Sequence, residues 1–292
     1  IICRNLGAPS VLRLEEHPTQ HLSTDDIRIQ VRAAGINFPD ILMVAGKYQH
    51  KPPLPFVPGF EVAGEIIETG ESCVSFKVGE RVMATMRTGG YAEECVVKTA
   101  AVRHMPAPFN FAQGAAFQVA YSTAYVSLVR RANLTETETL LVHGATGGVG
   151  LAAVQLGRVL GAKVIATVST KEKIAPAADS GADHVIVLGR NGFRDRVKEL
   201  TDGNGANVIY DPVGGNVFDE SLRCIAWGGR LLVVGFAGGK ISNAPANRVL
   251  IKGCSIVGVR AGEFARRDPV RGEENYKTML RLANEGRLKP RI

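Results

Sequence analysis

Four glycines, Gly144, Gly147, Gly148 and Gly150, follow directly on the apolar run Leu140–His143. Without a Cβ the backbone turns tightly there, and a pyrophosphate can approach the amide N–H groups. A helix starting at such a turn adds unpaired donors and a positive partial charge. The spacing Gly144-x-x-Gly147-x-x-Gly150 departs from G-x-G-x-x-G, and a glycine cluster alone also describes a purely structural turn. Beyond the next apolar run stands Ser169, with Lys171 and Lys173 behind it. In NAD sites an Asp or Glu about 20 residues past the glycines holds the ribose 2′-OH. Hydroxyl and ammonium groups suit a 2′-phosphate instead, where a carboxylate would repel it, so the pattern predicts NADPH. The plainer reading makes both lysines solvated surface residues. Against it, lysine in a helix's first turn opposes the helix dipole.

A second polar group lies earlier, at Asn37, Asp40 and Tyr48. Hydride transfer needs a donor where charge appears on the acceptor oxygen. Asn37 can donate an amide N–H to that oxygen or to the nicotinamide. Tyr48 can hydrogen-bond to cofactor or substrate and deliver a proton. Asp40 reads most simply as a helix N-cap. The acceptor is expected in the cleft between two domains. No Ser-His-Asp arrangement or reactive-cysteine motif is present, and His143 reads as packed at a strand end.

These residues need elements to hold them. Leu140–His143 has the length of a buried parallel strand, and Leu151–Leu160 reads as the helix after it. Lys163–Val168, Val185–Leu188, Asn207–Asp211 and Arg230–Gly235 read as further strands, with helices over 193–201 and 216–227. Pro176 shortens or kinks the helix after Lys171. Such alternation predicts a doubly wound sheet with the cofactor over the strand C-termini. Upstream the pattern is β-rich: 26–33 alternates with period two, and 60–68, 80–84 and 92–97 follow between glycine turns, as in a compact barrel-like module. Between them 37–46 reads as a short helix begun near Asp40 and stopped at Gly46. Residues 274–285 read as an amphipathic helix closed by Gly286.

At 292 residues two domains are expected. The composition, 45% hydrophobic and 22% charged, is that of a soluble globular protein. No apolar run reaches the roughly 18 residues of a membrane helix, and Ile1–Arg4 reads as the start of a strand. The five cysteines are scattered and odd in number, which argues against disulfides or a structural zinc lobe and for a reducing compartment, the cytoplasm. The net charge of +7 fits a phosphate-rich cofactor, with no basic run long enough to name a polyanion.

The motifs GINFPD (35–40), GKY (46–48), PGFEVAGEI (58–66) and VGERV (78–82), followed in order by the nucleotide turn, resemble the zinc-free medium-chain dehydrogenase/reductases. The likeness is to their NADPH:quinone oxidoreductase, or zeta-crystallin, type and spans nearly the whole chain. Zinc-dependent relatives carry a Cys shortly before the Asp matching Asp40 and a His where Phe60 stands. Here those positions are Ile36-Asn37-Phe38-Pro39 and Phe60, which cannot assemble a zinc site, so the metal expectation is none. The resemblance implies a GroES-like β-rich catalytic domain (1–117 and 259–292) and a Rossmann NADPH-binding domain (118–258). It implies NADPH-dependent, zinc-free reduction of a small quinone or enone. Cofactor contacts are expected from Thr123, the turn Thr146, Gly147, Gly148, Val149 and Gly150, then Ser169 and Lys173. Gly235, Phe236, Gly258, Val259 and Arg260 complete the expected set, although each also fits a tight turn beside a strand. Leu188 replaces a family tyrosine that assists the lysine; Arg190 is the compensating candidate.

The family pairs through its nucleotide domains, so a homodimer with no membrane association is expected. It also ends in a helix and strand that this sequence lacks, which predicts incomplete ends. Two alternatives stand beside quinone reduction. One is a 2-enoyl thioester reductase, which shares the hydride geometry. The other is an NADPH-sensitive RNA-binding or structural crystallin-like protein, for which no aromatic-basic platform is visible.

Overall fold

The computed structural model describes residues 1–189 and 192–292. It divides into two units, Ile1–Val119 with Lys289–Ile292, and Ala120–Leu288.

In the first unit, β1 (Asp26–Ala34), β2 (Glu61–Thr69), β3 (Arg81–Thr85), β4 (Glu94–Lys98) and β5 (Val102–His104) form a curled antiparallel sheet, ordered β4-β1-β2-β3-β5. The period-two pattern decides its faces. Ile27 and Ile29 are fully buried with Val62, Ile66 and Val82, while Arg28 pairs with Glu68. Each buried isoleucine contributes roughly 1.5–3 kcal/mol. Two register shifts between β1 and β2 bend the sheet. The insert forms α1 (Phe38–Val44), followed by Gly46 at φ +68°. α1 begins earlier than expected because Asn37, not Asp40, is its N-cap. The expected first strand is limited to isolated pairings of Ile2 with Arg13 and Cys3 with Phe56. α2 (Phe111–Ala115) is capped by Asn110, whose side chain accepts the Gln113 N–H at 2.9 Å.

In the second unit, β6 (Thr139–Val142), β7 (Lys163–Val168), β8 (His184–Val187), β9 (Ala206–Asp211), β10 (Ile225–Val233) and β11 (Ser255–Gly258) form one parallel sheet, ordered β11-β10-β9-β6-β7-β8. The chain winds outward from β6 through β8, then returns to β9 on the other side of β6. That reversal is the topological switch point of a doubly wound fold, where ligands lie against the strand C-termini. Leu140, Leu141, Ile165, Ile209 and Leu231 are completely buried, as both faces of a parallel sheet require. α3 (Gln118–Tyr125) leads in and continues as a π-helical segment, Val126–Arg131. α4 (Gly148–Val159) follows β6, and the short α5 (Ile174–Asp179) holds Pro176 in its first turn, where its missing N–H has no partner to lose.

Three further boundaries differ from the sequence expectation. α7 (Asn216–Cys224), which follows α6 (Arg194–Leu200), stops short of Trp227 because β10 starts at Ile225. Ile225 and Ala226 are buried, and Gly228 at φ +70° restores the register. Beyond α8 (Ala246–Lys252) and α9 (Ala261–Arg267), the last helix, α10 (Pro269–Asn284), starts well before residue 274. Asp268 caps it by accepting the Arg271 N–H at 3.0 Å, and Pro269 has the φ of a first helical residue. Finally, 259–288 fall in the nucleotide unit rather than the β-rich one. β11 pairs with β10, and Arg130 holds α10 through Asn275 at 2.8 Å and Glu274 at 2.9 Å. Only Lys289–Ile292 returns to the first unit, where the Gln113 amide donates to the Pro290 carbonyl at 3.3 Å.

Candidate active site

The first unit holds two buried carboxyls joined by Asn37. Asp40 accepts the Asn37 backbone N–H at 2.8 Å, the Gly59 N–H at 3.1 Å and the Tyr91 hydroxyl at 2.8 Å. Asn37 and Asp40 form a capping box, with the Asn37 carboxamide turned toward the Asp40 N–H. The other end of that carboxamide donates from Nδ2 to Glu61 Oε1 at 2.9 Å. Glu61 Oε2 accepts the Val119 N–H at 2.9 Å. Burial raises the Asp40 carboxyl against the pull of its three donors. Burial likewise pushes Glu61 up to about 7 despite its N–H donors. The Tyr91 phenol is raised by burial and by the Asp40 carboxylate beside it. Glycines make room for this cluster. At Gly35 a Cβ would stand 2.3 Å from the Ala115 carbonyl and 2.7 Å from Glu61 Cγ; Gly59, at φ +106°, would meet Tyr91 at 2.7 Å.

Asn37 and Asp40 are therefore brought together, and Asp40 is the N3 member of the box rather than the N-cap expected of it. Tyr48 stands apart from their hydrogen bonds: half-buried, it packs edge-on against Phe60 with ring centroids 5.7 Å apart. Phe60, where zinc-dependent relatives carry a histidine, offers no donor atom. Among the described residues no group of three His, Cys, Asp or Glu is arranged to hold a metal.

In the second unit, the candidate cofactor residues follow the C-terminal ends of β6, β7, β10 and β11, which a parallel sheet places along one edge. The glycines there have different reasons to exist. Gly144 needs its φ of +57°, and a Cβ on Gly150 would stand 2.2 Å from the Gly144 carbonyl. Gly147 and Gly148 are exposed, with φ −77° at Gly147, and a Cβ on either would meet nothing closer than 3.4 Å. Neither conformation nor packing calls for glycine at these two positions. Thr146 and Val149 flank the pair, both half-buried.

At the tip of β7, Lys173 Nζ donates to Ser169 Oγ at 3.0 Å, so the two expected phosphate ligands are adjacent. Leu188 is partly buried and packs against the hydrophobic core of the parallel sheet. Arg190 lies outside the described residues. Thr123 sits on α3, whose Ala120 lies 4.0 Å from the Cβ position of Gly148. Gly235 lies over the Pro212 carbonyl, and Phe236 beside Gly214. Gly258 ends β11 and accepts from Arg131 at 3.2 Å, the Val259 N–H returns to the Val233 carbonyl at 3.0 Å, and Arg260 caps α9. Asp211 ends β9 buried, with one oxygen accepting the Val213 and Gly214 N–H groups at 2.8 and 2.9 Å, which orders the neighbouring loop. His143 is completely buried between Thr167 and Ser221 hydroxyls at 2.9 and 2.8 Å, and burial pushes it down to about 3. It is a neutral packing residue.

Glu61 and Tyr91 are the residues that sequence reasoning missed. Glu61 had a visible signal: it opens its strand directly ahead of the small apolar pair Val62-Ala63. Tyr91 had none, since only the fold brings it to Asp40.

Residues 23–125 match the family model described as alcohol dehydrogenase GroES-like domain, and 148–285 match the one described as zinc-binding dehydrogenase. The quinone oxidoreductase-like protein 2 homolog of Nematostella vectensis is 45% identical over 99% of this chain and 79% of its own length. The crystal structure of Escherichia coli quinone oxidoreductase complexed with NADPH superposes with a TM-score of 0.89, at 29% identity over 100% of this chain and 89% of that one. The CurK enoyl reductase does so at 0.88, with 25% identity over 98% and 88%. With both domains matched in order and the motif set intact, the chain belongs to the quinone oxidoreductase family of the medium-chain dehydrogenase/reductases.

Proposed function

We propose that this chain is an NADPH-dependent reductase of small quinones or related enones that works without zinc. The carrying observation is the exposed pair Gly147–Gly148, where neither a positive φ nor a neighbour closer than 3.4 Å demands glycine, which supports the approach of a ligand. The residues fit the cofactor: first-turn amides of α4 for the pyrophosphate, Ser169 and Lys173 for the 2′-phosphate, and Thr123, Gly235, Phe236, Gly258, Val259 and Arg260 for the remainder. NADPH, when bound, supplies the hydride. The chain's own residues do the rest. Asn37 donates an N–H to the acceptor oxygen as charge appears on it, and Tyr48 supplies a proton. Phe60, in place of a metal ligand, supports a reaction that needs an already electrophilic acceptor.

Oxidation of NADPH against quinones, enones and enoyl thioesters tests this, and chelator should leave the rates unchanged. Asn37→Ala should lower kcat by roughly 10²–10³, the cost of losing an oxyanion donor. Lys173→Ala should raise KM for NADPH and not for NADH; an unchanged ratio ends the phosphate assignment. Similarity to CurK favours one second reading, enoyl thioester reduction, which the same panel separates. Five free cysteines, four of them buried, support a reducing, cytoplasmic setting. Pairing through the nucleotide unit would cover exposed Trp227 and Leu250, and light scattering measures it.

A further inference from the structure

A buried carboxylate ordinarily meets a cation. Glu61 is 2% exposed and among the described residues makes no ion pair; N–H groups are its donors. Its two oxygens serve two elements, the Asn37 carboxamide at the start of α1 and the Val119 N–H in the first turn of α3. A residue that only capped α3 would need neither the second contact nor the reach from β2, since a neighbouring Ser, Thr or Asp does that. The contacts also decide which way Asn37 faces. Its nitrogen donates to Glu61 Oε1, so a flipped amide would set its oxygen against a carboxylate oxygen. One of the two Nδ2 hydrogens is committed to Glu61, and the other is the donor that remains.

We propose that Glu61 is a positioning residue: it locks the Asn37 carboxamide with its second N–H available to the acceptor oxygen, and registers that donor on the first turn of α3. This rests on the role given to Asn37 above. The ionised carboxylate offers acceptors alone to both donors, whereas the neutral acid carries an O–H on one oxygen and weakens the contact made there. The titratable groups that face it are Asp40 on α1 and Tyr91 ahead of β4; its other neighbours are Asn37 and the N–H groups of Gln118 and Val119. With Glu61 held up to about 7, the donor is set above neutral pH and loosens below it.

Glu61→Gln, Asn37→Ala and the double variant, assayed from pH 5.5 to 9, test the proposal. In the parent, kcat with a quinone should fall below about pH 7 with a one-proton dependence. Glu61→Gln should lose roughly tenfold to a hundredfold in kcat at pH 8, less than a direct donor is worth. Its pH profile should flatten while KM for NADPH holds within twofold, and the double variant should be no worse than Asn37→Ala. By NMR, the Asn37 side-chain amide should shift with a midpoint near pH 7 in the parent and stay fixed in Glu61→Gln. Parent-like kcat with an unchanged inflection in Glu61→Gln overturns the proposal. So does an Asn37 amide that ignores pH in the parent, a result that needs no variant to fold. Failure of the parent to reduce any acceptor defeats the functional reading alone, and the amide titration still decides whether Glu61 governs Asn37.

Discussion

Among the described residues Glu61 and His143 are both buried without a counter-ion, and they tie stability to pH in opposite directions. The Glu61 carboxyl is raised from an ordinary 4.5 to about 7. Between those values the folded chain keeps a proton that the unfolded chain releases, so this contribution falls as pH rises. His143 is depressed from 6.5 to about 3, so below 6.5 the unfolded chain takes a proton that the folded one refuses, and stability falls as pH drops. Replacing one at a time separates them. The unfolding free energy of Glu61→Gln relative to the parent should rise from pH 5 to pH 8, by on the order of 3 kcal/mol at most. A flat difference would mean Glu61 titrates normally. His143→Gln should remove part of the acid-side loss while leaving pH 8 activity intact. At Gly35 sterics dominate. A methyl group there would stand 2.3 Å from the Ala115 carbonyl and 2.7 Å from Glu61 Cγ, so Gly35→Ala should destabilise by roughly 1–3 kcal/mol and disturb Glu61 as well.

Among the elements, the turn from β6 into α4 separates folding from binding within one glycine cluster. Gly150→Ala should lower the melting temperature, because its Cβ would stand 2.2 Å from the Gly144 carbonyl. Gly148→Ala should leave the melting temperature unchanged or slightly higher, since alanine favours a helix by up to about 1 kcal/mol over glycine. It should nevertheless weaken NADPH binding at least tenfold, read by fluorescence titration. Equal affinities in Gly148→Ala and the parent would remove the observation on which the functional reading stands. Elements were also where sequence reading was uneven. The strand 163–168 was read at its observed bounds because a buried parallel strand is written as a continuous apolar run. The helix read through Trp227 was wrong at its end, because strand pairing of Ile225 with Ala206 overrode local helical pattern.

For the whole molecule, the two units predict a ligand effect that is unequal. NADPH at a hundred times its Kd should stabilise the unit that binds it by about 2.7 kcal/mol, seen by calorimetry, and a chelator should shift nothing. No helix among the described residues is long and apolar enough to cross a membrane. By itself the sequence determined the alternating winding of the second unit, the β-rich character of the first, the glycine turn with its lysine, and the family motifs. All of these rest on periodicity and short-range spacing, which neighbouring residues carry between them. Only the tertiary structure decided that 259–288 belong with the nucleotide unit, that Asp40 takes the Tyr91 hydroxyl, and that Glu61 accepts from both Asn37 and the Val119 N–H. Those facts are contacts between residues far apart in the chain, made where burial leaves a carboxyl no water and the fold must supply its donors.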